Sequence, residues 1–116
     1  MVEMTRERFE ELVSQALDTV PPDLAELMDN VVVLVEDDAP ADDPDLLGLY
    51  VGTALTERDS TYTFFEPDQI FVYRNPTLRM CADEAEIVHE VGITVVHEIA
   101  HHFGIDDDRL HELGYG

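Results

Sequence analysis

Thr94-Val95-Val96-His97-Glu98-Ile99-Ala100-His101-His102-Phe103-Gly104-Ile105-Asp106-Asp107 is the stretch from which the rest of the chain can be read. It continues an apolar stripe, Val88, Val91, Val95 and Ile99, whose three- and four-residue steps belong to one helix face. The spacing predicts a long helix from about Asp83 to Phe103. Asp83, Glu84 and Glu86 suit the positive end of its dipole. Gly104 is placed to end it in a left-handed turn. On such a helix His97 and His101, four residues apart, are neighbours on one face. Glu98 lies roughly 100° round from His97 and about 60° from His101. Its carboxylate therefore stands beside the point where the two imidazoles converge without being an obvious third contact.

Two imidazoles one turn apart with an adjacent glutamate are how a helix offers a divalent cation two ligands and a base. A helix sometimes carries these residues by chance. Here, however, a glycine follows three residues after His101, and Asp107 three residues after that. A third ligand has to come from another direction, and a helix, a glycine and a turn deliver one. Asp107 is the expected third ligand, with His111 and Asp106 as competitors. Asp106 or Asp108 would instead cap a last short helix over about Asp108 to Leu113. His102 points about 100° away from His101 and is expected beside the site or at the surface. His89-Glu90 is not a second motif, because Ile93 stands where a paired histidine would be; Glu90 is expected to face solvent. Imidazole and carboxylate suit several divalent ions, zinc foremost.

Working back from this helix, Thr5 to Val20 predicts another, with Phe9, Leu12, Val13, Ala16 and Leu17 on one face and Thr5 as N-cap. Pro21 and Pro22 stop it, and a short helix over Asp23 to Met28 is expected next. Val31 to Val35 reads as a strand buried on both faces. Glu36 to Asp45, with six acidic residues and two prolines in ten, reads as a solvated loop, lacking the spacing of a calcium loop. Leu46 to Gly52 predicts a second strand with a close backbone approach at its glycines. Thr53 to Pro67 reads as a long loop folding over a site. Gln69 to Arg74 predicts a third strand, placed at a sheet edge by Pro67 before it and Pro76 after it. A helical turn is expected over Thr77 to Ala82.

The 116 residues fit one domain, 1–116. Twenty-seven acidic residues oppose six basic ones, all arginine, for a net charge of −21. So negative a surface repels phosphate backbones, which argues against nucleic acid as a partner. Cys81 is the one cysteine, so no intramolecular disulfide forms, and it is expected as a small buried residue. Met1 to Glu11 lacks the apolar run of a signal peptide. No apolar stretch approaches the roughly 20 residues that span a bilayer. The expectation is a cytoplasmic protein with no membrane partner.

His97 to Asp107 resembles the HExxHxxGxxD variant of the zincin metallopeptidases. The chain from about residue 45 to 113 is similar to the short single-domain zincin-like metallopeptidases of actinobacteria and other bacteria. The resemblance rests on Gly48 to Gly52, Pro67 to Ile70, Tyr73 to Pro76 and His97 to Leu110. It implies an α+β minimal zincin fold, with a small mixed sheet of about three to four strands against the active-site helix and the N-terminal helix. It implies one zinc per chain held by His97, His101 and Asp107, with Glu98 as the acid/base that takes a proton from activated water. No methionine follows Asp107 to floor the metal, unlike in larger relatives. The substrate so implied is a peptide or protein, docked as an added strand on the edge strand 69–74. Tyr73, Tyr115 and His111 are candidates to assist the oxyanion. The rival readings are a non-catalytic metal-binding or interaction protein and a zinc hydrolase of a non-peptide amide.

Overall fold

The computed structural model describes residues 2–29, 31–52, 67–105 and 107–112, the side chain of Asp107 excepted. The predicted loop Thr53 to Pro67 therefore lies, Pro67 apart, outside the described residues, as do Asp106 and Tyr115. The fold is α+β. Its described elements are α1 (Arg6–Leu17), α2 (Pro22–Ala25) with a 3₁₀ turn (Glu26–Met28), β1 (Val31–Glu36), β2 (Gly48–Val51), β3 (Asp68–Tyr73), α3 (Arg74–Met80), α4 (Glu84–Phe103) and α5 (Asp107–Glu112).

Both long helices begin where their caps dictate. The Thr5 hydroxyl accepts from the Arg8 N–H, 3.2 Å, at the start of α1. At the start of α4 the Asp83 carboxylate accepts from the Glu86 N–H, 2.8 Å, while the Glu86 carboxylate accepts from the Ala82 N–H, 3.3 Å. Two otherwise orphaned donors are thus satisfied reciprocally. Helix α1 stops at Leu17, three residues short of the predicted end, because Thr19 and Val20 fold into a turn that bonds back to Ala16 and Leu17. At the far end of α4, Gly104 takes φ 72° and Ile105 donates to the Ala100 carbonyl, 2.8 Å. A left-handed glycine so placed closes a helix and turns the chain.

The described strands form one sheet in the order β1-β3-β2. Strand β3 runs parallel to β1 and antiparallel to β2. This corrects the edge position expected for residues 69–74: β3 is the central strand, paired on both sides, so no peptide can be added to it. Pro67 precedes the strand and Pro76 falls in the first turn of α3, where its missing N–H costs nothing. Neither proline interrupts the ladder. Strand β1 is also corrected, being buried on one face only: Val35 is 8% exposed, whereas Val32 and Leu34 are 38% and 39% exposed. Arg6 of α1 donates to the Val35 carbonyl and so caps part of β1's outer edge.

Helices α1 and α4 lie on the covered face of the sheet. Phe9, Leu12 and Ala16 meet Ile87, Val91, Val95 and Ile99 over Ile70 and Val72 in one apolar cluster. A second cluster joins Val20, Leu24, Val96, Ala100 and Leu110. Leu110 is fully buried, so α5 is folded back against the last turns of α4. The acidic stretch after β1 is tied to α3: Asp37 accepts from Arg74, 2.9 Å, Asp38 from Asn75, 2.7 Å, and the Pro44 carbonyl from Arg79, 2.9 Å. Cys81 is 1% exposed, as expected of it.

Candidate active site

Helix α4 presents two polar rows toward its C-terminal end. His97 and His101 make one, their rings 5.9 Å apart between centroids and at 83°. His97 is half-buried and His101 exposed. The other row is Thr94, Glu98 and His102, which faces β2. Four helical residues rise about 6 Å and two strand residues about 6.8 Å, so a helix row stepping by four keeps pace with a strand stepping by two. The contacts follow that match. A Cβ on Gly48 would lie 2.6 Å from the Thr94 methyl. The Tyr50 N–H donates to Glu98 Oε1, 2.9 Å. The Tyr50 ring stacks on His102, centroids 4.0 Å apart and planes 14° off parallel. A Cβ on Gly52 would lie 3.1 Å from His102 Cε1. The two glycines supply the close backbone approach expected of that strand.

Tyr50 is also tied to the central strand. Its hydroxyl donates to Asp68 Oδ2, 2.7 Å, and His102 Nε2 lies 3.9 Å from the same oxygen. Phe103 meets the rings of Tyr50 and His102 edge-on. Glu98 is half-buried, and among the described residues its Oε2 accepts no hydrogen bond. One carboxylate oxygen is thus anchored to a neutral donor and the other is open to water.

Two nitrogen donors one turn apart suit a divalent cation. Among the described residues, no group of three or more His, Cys, Asp or Glu side chains is placed to hold one together. His111 is exposed on α5 and joins no such group. The backbone of Asp107 opens α5, while its side chain, like all of Asp106, lies outside the described residues. Tyr73, a candidate to assist the oxyanion, is 5% exposed. Burial, and then the charges of Glu36 and Glu98, raise its phenol above the usual value. The Cys81 thiol is pushed up to about 11, by burial first and then by Glu86, Glu90 and Asp83. It is a neutral core group, not a ligand. His102 was legible only as a neighbour of the site. Tyr50 and Asp68 were missed, although the step of four from Glu98 to His102 signals that something lies along that row.

The profile of the zincin-like metallopeptidase family matches residues 28–116. The chain belongs to that family. The match takes in all three strands, α4 and the glycine turn. The zincin-like fold also has a solved counterpart, a conserved hypothetical protein from T. thermophilus. It is similar at a TM-score of 0.56 and 24% identity, over 86% of this chain and 94% of that one. At that identity the likeness is one of fold. No functionally curated protein matches the chain. Among the described residues no helix of this zincin-like protein is long and apolar enough to cross a membrane.

Proposed function

We propose that the protein is a zinc-dependent peptidase in which Glu98 is the general base and acid. The observation that supports this reading best is the state of the Glu98 carboxylate. It stands on the helix that carries His97 and His101, with Oε1 anchored by the Tyr50 N–H and Oε2 unengaged among the described residues. His97 and His101 would hold the ion, with Asp107, brought round by the Gly104 turn, as the third ligand. When bound, zinc supplies Lewis acidity to a water and to the scissile carbonyl. Glu98 Oε2 takes the proton of the attacking water and returns it to the leaving amine. Anchoring Oε1 keeps the carboxylate from swinging away between the two transfers.

The substrate edge moves from the sequence expectation. Leu47 accepts from the Tyr73 N–H, so the odd residues of β2 bond to β3, while Gly48 and Tyr50 turn their backbone groups outward past α4. An extended peptide lying along this side of β2 would pass Glu98, and backbone pairing there would hold it regardless of side chains. The test is metal analysis together with hydrolysis of a broad peptide library. Wild type is expected to hold near one zinc per chain and to cleave; Glu98→Gln is expected to hold zinc and not cleave. A wild-type protein that holds zinc yet cleaves no peptide sinks the peptidase reading. Hydrolysis of simple amides but not peptides would move the activity to a non-peptide substrate.

A further inference from the structure

We propose that Tyr50, fixed by Asp68 and His102, is a positioning residue that sets where the Glu98 carboxylate stands; this deepens the peptidase reading and rests on it for its catalytic meaning. The donor that holds Glu98 is a backbone N–H, so its place is the place of strand β2. Three independent ties define that place. The ladder, pairing Leu49 with Phe71 and Val51 with Gln69, holds β2 in the plane of the sheet. The phenol hydroxyl, 2.7 Å from Asp68 Oδ2, pins the ring to the central strand. The stack on His102, at 4.0 Å, pins the same ring to α4 one turn beyond Glu98. Tyr50 thus spans from strand to helix beside the carboxylate that its own N–H holds.

The chemistry explains why such a brace matters. A glutamate side chain has three rotatable bonds, and on a half-exposed helix face it samples several rotamers. A hydrogen bond to an ionised carboxylate is among the stronger ones, but it orders the acid only as well as the donor is itself ordered. Residues whose rotamers are locked by packing and by a further shell of hydrogen bonds hold a reacting group in productive geometry. Asp68 is well placed for this, its side chain being 17% exposed. Removing the phenol oxygen or the Asp68 carboxylate leaves His97 and His101 in place on α4 and loosens the brace.

The test reads the brace without relying on activity. Amide exchange of the Tyr50 N–H is followed by NMR in the full-length protein. Glu98→Ala is expected to speed that exchange roughly tenfold or more, while the N–H groups of Leu49 and Val51, which face β3, keep wild-type rates. Tyr50→Phe and Asp68→Ala are expected to speed Tyr50 exchange severalfold with zinc content unchanged. Asp68→Asn, which keeps an acceptor oxygen, is expected to stay near wild type, and the double variant Tyr50→Phe/Asp68→Ala to match either single one. On any peptide the wild type cleaves, the two loosening variants are expected to lose kcat about tenfold with KM held within about twofold. Unchanged Tyr50 exchange in Glu98→Ala overturns the proposal, as does unchanged kcat in both Tyr50→Phe and Asp68→Ala. Should the wild type cleave nothing, the peptidase reading fails alone, and the exchange rates still decide whether Tyr50 positions Glu98.

Discussion

A Gly48→Ala substitution sets a methyl group into the tightest contact between β2 and α4. The added Cβ would stand 2.6 Å from the Thr94 methyl and 2.8 Å from the Phe71 carbonyl oxygen. To regain ordinary contact, Thr94 has to retreat by about 0.8 Å and Phe71 by about 0.6 Å. Thr94 is stiff, because its hydroxyl is held on the Glu90 carbonyl at 2.9 Å and its χ1 is restricted by branching. The Phe71 oxygen belongs to the central strand, paired on both sides. Neither neighbour moves freely. Overpacking of this kind costs roughly 1–3 kcal/mol. Alanine offsets about 0.4–1 kcal/mol of it by restricting the unfolded chain. The expected net loss is therefore about 1–2 kcal/mol, read from urea unfolding as a lower midpoint with an unchanged slope. In a thermal scan it corresponds to a fall in Tm of about 4–10 °C. Thr94→Ala in the same chain should recover part of the loss but not all, since the clash with Phe71 remains. The substitution also lifts β2 off α4, so Tyr50 N–H exchange should quicken with it. A Gly48→Ala protein as stable as wild type, within about 0.3 kcal/mol, would refute the close seating of β2 on which the placement of Glu98 depends.

Four shorter predictions accompany it. His97→Ala should take bound zinc from near one per chain to none, measured by mass spectrometry of metals on purified protein. Glu98→Gln should keep the metal and lower peptide hydrolysis by about 10²–10⁴-fold; equal turnover by the two proteins would remove Glu98 from the chemistry. Asp83→Ala should cost about 1 kcal/mol in denaturant unfolding, since it strips the N-cap bond to Glu86. The Cys81 thiol titrates near 9.0 when unfolded and is pushed up to about 11 by burial and then by Glu86, Glu90 and Asp83. Its contribution is fully present below pH 9 and is lost as pH rises toward 11. Cys81→Ala should therefore lose less stability than wild type between those pH values; parallel curves would argue against a buried thiol.

Sequence and structure agree where interactions are local. Helix α4 was legible almost to the residue, because its stripe, its Asp83 cap and the Gly104 turn all act within five residues along the chain. The same holds for the adjacency of His97, Glu98 and His101, which follows from helical pitch alone. The strands were legible as strands but not as a sheet. Residues 69–74 read as an edge because proline flanks them, yet the ladder begins after Pro67 and ends before Pro76, and β3 is central. Strand β1 read as doubly buried because Val31 to Val35 is apolar throughout, yet the helices cover one face and leave Val32 and Leu34 more than a third exposed.

The amino-acid order by itself determined which helix carries the imidazoles and the acid, and where that helix stops, since an α-helix is built from bonds between residues four apart. Only the tertiary structure decided what holds the acid. The Tyr50 N–H and Glu98 are 48 residues apart, and they meet because Gly48 lets a strand approach a helix closely enough for steps of two and steps of four to run together. No local rule encodes that meeting; it follows from which strand lies beside which, and that is fixed by how the shared core packs.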